Sequence, residues 1–101
     1  MAETLVLDYA QVKIGLSKIK ALAHPLRLEI IGFIEKFGEI NVNKIYRSLK
    51  LEQSITSQHL KILRSAELVK TRREGKKIFY SLNYPNIQQL TDIAQKFERK
   101  K

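Results

Sequence analysis

Between Gln53 and Leu82 the chain reads QSITSQHLKILRSAELVKTRREGKKIFYSL, and no other stretch limits the possible folds as strongly. Its first part, Gln53 to Ala66, has the composition of a short helix. Its second part is two β-prone runs, Leu68 to Glu74 and Lys77 to Leu82, joined through Glu74-Gly75-Lys76 as a tight hairpin. A helix advances about 100° per residue, so its faces can be assigned by angle. Ile55, Ile62, Leu63 and Ala66 gather on one side and are expected to hold the helix on a core. Away from them lie Ser54, Ser57, Gln58, Lys61 and Arg64. Short hydroxyls, an amide and cations on one face suit base edges and phosphates, and they equally suit plain solvation, which most surface helices offer.

The hairpin adds weight to the first of those readings. Ile78, Tyr80 and Leu82 alternate with Lys77, Phe79 and Ser81, which predicts one apolar face. Around its tip stand Arg72, Arg73, Lys76 and Lys77, with Glu74 the only acid among them. Such a run can protect an edge strand from unwanted pairing; beside a polar helix it also has the makings of a clamp on a phosphate backbone.

Just upstream, NKIYRSL (Asn43 to Leu49) sets Ile45 and Leu49 at helical spacing, with Asn41 available as its N-cap. Lys50 to Gln53 then makes a short connection into the next helix. Two helices joined by about four residues form a helix-turn-helix, whose second member enters the major groove. With the hairpin behind it, the segment is expected to be a winged helix-turn-helix, a mainly α fold of α+β type with about five helices and a two-stranded wing.

These residues resemble a known family. KALAHPLRLEIIGFI (Lys20 to Ile34), EINVNKIYRSL and the segment from Ser54 to Leu82 are similar to the ArsR/SmtB group of bacterial winged-helix transcriptional repressors. The most specific elements are Ala21, Pro25, Arg27 and Leu28 in an Ala-x-x-x-Pro-x-Arg-Leu arrangement, Ser57 with Leu60, and Leu68-Val69 after the reading helix. The resemblance spans roughly residues 19–82. It implies a homodimer that binds an inverted-repeat operator and leaves it when an inducer arrives.

Composition agrees. A chain of 101 residues has room for one domain, here residues 1–101, and a formal net charge of +9 is the footprint of a nucleic-acid binder, although a membrane surface or an acidic protein also attracts it. No apolar run approaches the roughly 20 residues that span a bilayer, and the first residues lack a basic start and a long apolar stretch. The expected location is the cytoplasm, with no membrane contact. Pro25 and Pro85 are placed to open helices over Leu26 to Phe37 and from Asn86 to about Arg99. Tyr9, Val12, Leu16 and Ile19 draw an apolar seam on the first helix, and Ile87, Leu90, Ala94 and Phe97 draw one on the last. These seams can pack on their own domain; with the family resemblance beside them, pairing with a second copy is the expectation adopted.

The inducer is not legible. Many members of the family sense metals or oxidants through cysteines, often a Cys-x-Cys at the helix before the reading helix, whereas this chain has no cysteine and the matching positions are Asn41 and Asn43. Asparagine carbonyls are poor ligands for thiophilic ions. Another family site, between the last helices of two subunits, uses Asp and His; the last helix here has Asp92 and Glu98 but no histidine. His24 reads as a helix-entry residue, and His59 lies toward the apolar side of the reading helix, with packing or DNA contact both open to it. No metal or other cofactor is expected, and the effector is unknown. Nor is catalysis: Ser57 and His59 point roughly 200° apart on one helix and cannot share a proton, and no phosphate loop occurs.

The expected function is sequence-specific binding of double-stranded DNA by a homodimeric transcriptional repressor. Ser54, Ser57 and Gln58 are assigned to bases, Gln53, Thr56, Lys61 and Arg64 to the backbone, and Arg72, Arg73, Lys76 and Lys77 to flanking phosphate or minor groove. The alternatives are a winged-helix module that grips an acidic protein, and a non-specific nucleic-acid binder. The second lacks aromatic residues on the polar face for stacking bases.

Overall fold

The computed structural model describes residues 9–98, leaving aside the side chains of Tyr9, Gln11, Val12 and residues 93–98. In chain order these residues form α1 (Tyr9–Leu22), α2 (Pro25–Phe37), β1 (Glu39–Asn41), α3 (Val42–Ser48), α4 (Gln53–Ser65), β2 (Val69–Glu74), β3 (Lys77–Leu82) and α5 (Tyr84–Glu98). The fold is a winged helix-turn-helix, mainly α with five helices, and it has one strand more than the pattern of the sequence announces.

Local chemistry sets the boundaries. Pro25 stands at the start of α2, where its missing N–H costs nothing, and the Nδ1 of His24 caps the helix by accepting from Leu26 N at 3.1 Å. Gly38, at φ 79°, ends α2 with its amide donating to the carbonyl of Ile34. Asn41 caps α3, its Oδ1 accepting from Lys44 N at 2.9 Å. The two helices of the helix-turn-helix end alike. Leu51 N donates to Tyr46 O and Leu68 N to Leu63 O, with Lys50 (φ 55°) and Glu67 (φ 60°) in the left-handed conformation between. Glycine is the usual residue there, so each position carries backbone strain offset by the closure of the helix end.

The additional strand is β1. The sheet order is β1-β3-β2, all antiparallel, with Ile40 opposite Tyr80 and Val69 opposite Leu82. Gly75, at φ 61°, permits the two-residue turn between β2 and β3. The expected apolar face of the hairpin holds only at its base: Leu82 is buried, Tyr80 half-buried and Ile78 exposed, because the strands run past the core toward the tip.

The core takes Ala21 from α1, Ile30 and Ile34 from α2, Ile40 from β1, Ile45 from α3, Leu60 and Leu63 from α4, Leu68, Val69 and Leu82 from the wing and its approach, and Leu90 from α5. Burial of each large aliphatic side chain contributes about 1.5–3 kcal/mol. Every described helix is thus tied to one centre, which fixes where α4 points.

Candidate nucleic-acid interface

The reading helix α4 is held by Thr56, Leu60 and Leu63, all fully buried. This corrects the expected apolar side. Of the residues assigned to it, Leu63 is buried and Ala66 half-buried, while Ile55 and Ile62 stay 39% and 42% exposed. The core lies further round the helix, on the side of Leu60. Thr56 can lie inside because its Oγ1 donates to Glu52 O at 2.9 Å, so no hydroxyl is left unsatisfied. Fully buried, Thr56 does not reach a DNA backbone, the role expected of it. Gln53, Ser54, Ser57, Gln58, Lys61 and Arg64 are all exposed, and among the described residues Ser54, Ser57 and Gln58 make no side-chain hydrogen bond within the chain.

His59 stands between the buried and polar sides, half-buried. Its ring lies 4.8 Å from that of His24, and Arg27 Nη1 comes to 3.5 Å of its Nδ1, the outer limit of a hydrogen bond. A guanidinium only donates, so in this contact Nδ1 can serve only as the acceptor. Burial, then His24, then Arg27 push the His59 pKa below its usual 6.5. His24 has the helix-entry role read from its position before Pro25.

In the wing, Arg72 alone of the four cations is paired with acids among the described residues. Arg72 reaches Glu39 Oε1 with Nη2 at 2.8 Å and Glu39 Oε2 with Nε at 3.1 Å, places Nη1 2.9 Å from Glu74 Oε2, and lies 4.8 Å from the centre of the Phe79 ring. It fastens β1 to the hairpin. The same contact holds the Glu39 carboxyl below its usual range. Glu74 is thus not the only acid facing the wing's cations, as counting along the hairpin implied. Lys76 and Lys77 are exposed with no acidic partner among the described residues, and Arg73 Nε donates to Gly75 O at the tip.

The terminal helices divide. Leu16 on α1 is 49% exposed, and Ile14, which the seam omitted, is 52% exposed. Ile19 and Ile87 pack partly against the chain's own core, and Leu90 is buried within it. Leu90 is therefore unavailable to a partner, because α5 uses it to close over the protomer. The side chains of Tyr9, Val12, Ala94 and Phe97 lie outside the described residues.

One cluster had no signal in the sequence. Lys20 of α1, Arg27 of α2 and Lys61 of α4 line a common cleft of about 470 Å³. No spacing rule gathers residues from three helices.

The model of the arsR family of bacterial regulatory proteins matches residues 24–71. The transcriptional repressor PagR of Bacillus anthracis is 37% identical over 82 residues, 81% of this chain and 82% of PagR. The chain belongs to the ArsR family. The PagR crystal structure superposes with a TM-score of 0.72 at 34% identity, covering 86% of this chain and 99% of PagR. The transcriptional activator HlyU of Vibrio cholerae is 33% identical over 77% of this chain and 71% of its own length. The homodimeric winged helix-turn-helix DNA-binding domain of a possible ArsR-family regulator from Mycobacterium bovis has a TM-score of 0.76 at 27% identity, covering 99% and 92% of the two chains. These relatives are regulators, not enzymes. Among the described residues of this ArsR-family chain, no group of three or more His, Cys, Asp or Glu is placed to hold a metal ion, and no helix is long and apolar enough to cross a membrane.

Proposed function

We propose that this chain is a cytoplasmic, single-domain repressor that binds an inverted-repeat operator as a homodimer. The observation that carries the reading is the face of α4: Ser54, Ser57 and Gln58 project from a helix locked by Leu60 and Leu63, exposed and, among the described residues, free of side-chain hydrogen bonds. In the major groove they read base edges, while Gln53, Lys61 and Arg64 take the backbone. Arg73, Lys76 and Lys77 hold flanking phosphate, and Arg72 braces the wing that carries them. Pairing through α1 is supported by exposed Ile14 and Leu16 and by the homodimeric M. bovis relative. A two-fold axis sets two reading helices about 34–36 Å apart, so the operator is an imperfect palindrome.

The test is a titration against the DNA upstream of the chain's own gene and a scrambled duplex of equal length, at two salt concentrations. A preference of about a thousandfold for the native fragment, with two chains per site, is the expected result. Equal, steeply salt-sensitive binding to both would reduce the chain to a non-specific binder, and no binding to either would favour a wing that grips an acidic protein. PagR is named a repressor and HlyU an activator. A reporter behind the same upstream DNA separates the two, and expression should fall when this chain is supplied.

A further inference from the structure

The cleft between α1, α2 and α4 has an unusual electrostatic state. Lys20, Arg27 and Lys61 all line it, and among the described residues none of them has an acidic partner. Arg27 is more constrained still. Its Nε is buried with no acceptor, while its Nη1 is turned toward His59. Buried donors are nearly always satisfied, and like charges gathered without a counter-ion repel. The gathered positive charge is offset by an anion. Ser17 and Ser65 add hydroxyls to the same wall.

Size and lining choose among anions. A volume of about 470 Å³ is much more than a phosphate or sulfate fills, and Ala21, Ile62 and Ala66 supply apolar surface that a bare inorganic ion cannot use. Ile62 remains 42% exposed although it is a large aliphatic residue on a well-anchored helix. Apolar surface beside a few polar groups is the usual lining of a small-molecule site, here in an open cleft that leaves part of its occupant in water.

We propose that this cleft binds a small organic anion with an apolar body, such as an alkyl carboxylate, and that its occupant weakens DNA binding. The carboxylate faces the Arg27 guanidinium and the Lys20 and Lys61 ammonium groups, and the alkyl chain covers Ile62 and the two alanines. Coupling to DNA follows from Lys61 and rests on the reading given above: an anion held there removes one cation from the backbone-facing side of α4 and adds negative charge beside the phosphates. By linkage, DNA must weaken the anion by the same factor.

Octanoate is the probe, with octanol and inorganic phosphate as controls for the apolar body and the charge alone. Calorimetry on the full chain without DNA should show one octanoate per chain, with octanol and phosphate each at least about tenfold weaker. Arg27→Gln and Lys20→Gln should each lower octanoate affinity about tenfold. Lys20 is exposed, so its variant keeps the test open if Arg27→Gln fails to fold. Saturating octanoate should lower operator affinity about tenfold.

Absence of saturable binding, or octanol binding as well as octanoate, overturns the site. A salt slope for operator binding that drops by about one unit in Lys20→Gln overturns it in favour of a grip on backbone phosphate. Loss of octanoate binding as chain concentration drives dimer formation assigns the cleft to a second copy instead. Octanoate binding with unchanged operator affinity overturns the coupling. A chain that binds octanoate but no DNA counts against the DNA reading and leaves the site standing.

Discussion

The reading helix and the wing both carry residues assigned to DNA in the proposed complex, but they are held in opposite ways. Helix α4 is fixed from beneath: Thr56, Leu60 and Leu63 are fully buried, and among the described residues the outward-facing Ser54, Ser57 and Gln58 make no side-chain hydrogen bond. The wing leaves the core as it approaches its tip, and it is fixed from the side, by the ion pairs of Arg72 with Glu39 and Glu74. Rigid placement suits groups that must meet particular base edges, where a small displacement loses a hydrogen bond. Cations on a projecting ribbon suit phosphate, which is everywhere along the duplex and tolerates adjustment. On the proposed reading, specificity then belongs to the helix and sequence-independent affinity to the wing.

The strongest way to break this division is to remove the anchor. Leu63→Ala should cost about 2–5 kcal/mol of stability, the range for a buried leucine whose surroundings close only partly around the cavity. Urea unfolding measures it directly. Because Leu63 sits in the common core, binding to operator and to random DNA should both fall at temperatures where the variant begins to unfold. A loss below about 1 kcal/mol would mean that α4 is not clamped as described.

A more selective change is Gln58→Ala. Its side chain is exposed and unpaired, so stability should hold within about 0.5 kcal/mol, while discrimination between operator and scrambled DNA should drop by about 1–3 kcal/mol. Equal losses on both duplexes, in parallel titrations at one salt concentration, would move Gln58 from base reading to backbone contact.

The wing makes a finer prediction, because its cations are not equivalent. Lys77→Ala should weaken all sequences alike and flatten the salt dependence by about one unit. Arg72→Ala should flatten it much less, since that guanidinium already faces two carboxylates at 2.8 and 2.9 Å. Equal slopes in the two variants would show that Arg72 leaves Glu39 on binding and that the brace is also a clamp.

Most of this architecture can be read from the sequence where the signal is local. Pro25, Asn41 and Gly75 mark two helix starts and a turn, and α4 was expected over 53–66 and is found as Gln53–Ser65. What escaped depends on partners far along the chain or on chemistry that residue type conceals. The strand β1 is three residues long, too short to display an alternation, and exists because β3 offers it an edge. Thr56 reads as polar, yet it is buried because its own helix supplies the acceptor at Glu52. Arg72 reads as a free cation, and its neutralising Glu39 is 33 positions away. The cleft of Lys20, Arg27 and Lys61 needs three helices to assemble before it exists.

The smallest effects come from acid, and they should reach the helix before the wing. The His59 pKa lies below 6.5 in the folded chain, chiefly through burial and then through His24 and Arg27, so the unfolded chain takes up the proton more readily. Its contribution to stability is complete above 6.5 and is lost as pH falls from there through the folded value. The Glu39 carboxyl is lowered below 4.5 by its hydrogen bonds to Arg72, so its contribution is complete above 4.5 and is lost only as pH falls through its own, lower value. Urea unfolding from about pH 7.5 to about pH 3.5 should then show two separate declines. His59→Gln should flatten the first and leave the second, and Glu39→Gln should do the reverse. The glutamine at 39 keeps an acceptor for Arg72 but not the charge, so the loss of acid sensitivity reports the ion pair and not the shape of the wing. If His59→Gln left the decline below 6.5 untouched, the imidazole would not be the group that ties acid to the reading helix, and its place beside His24 and Arg27 would be packing alone.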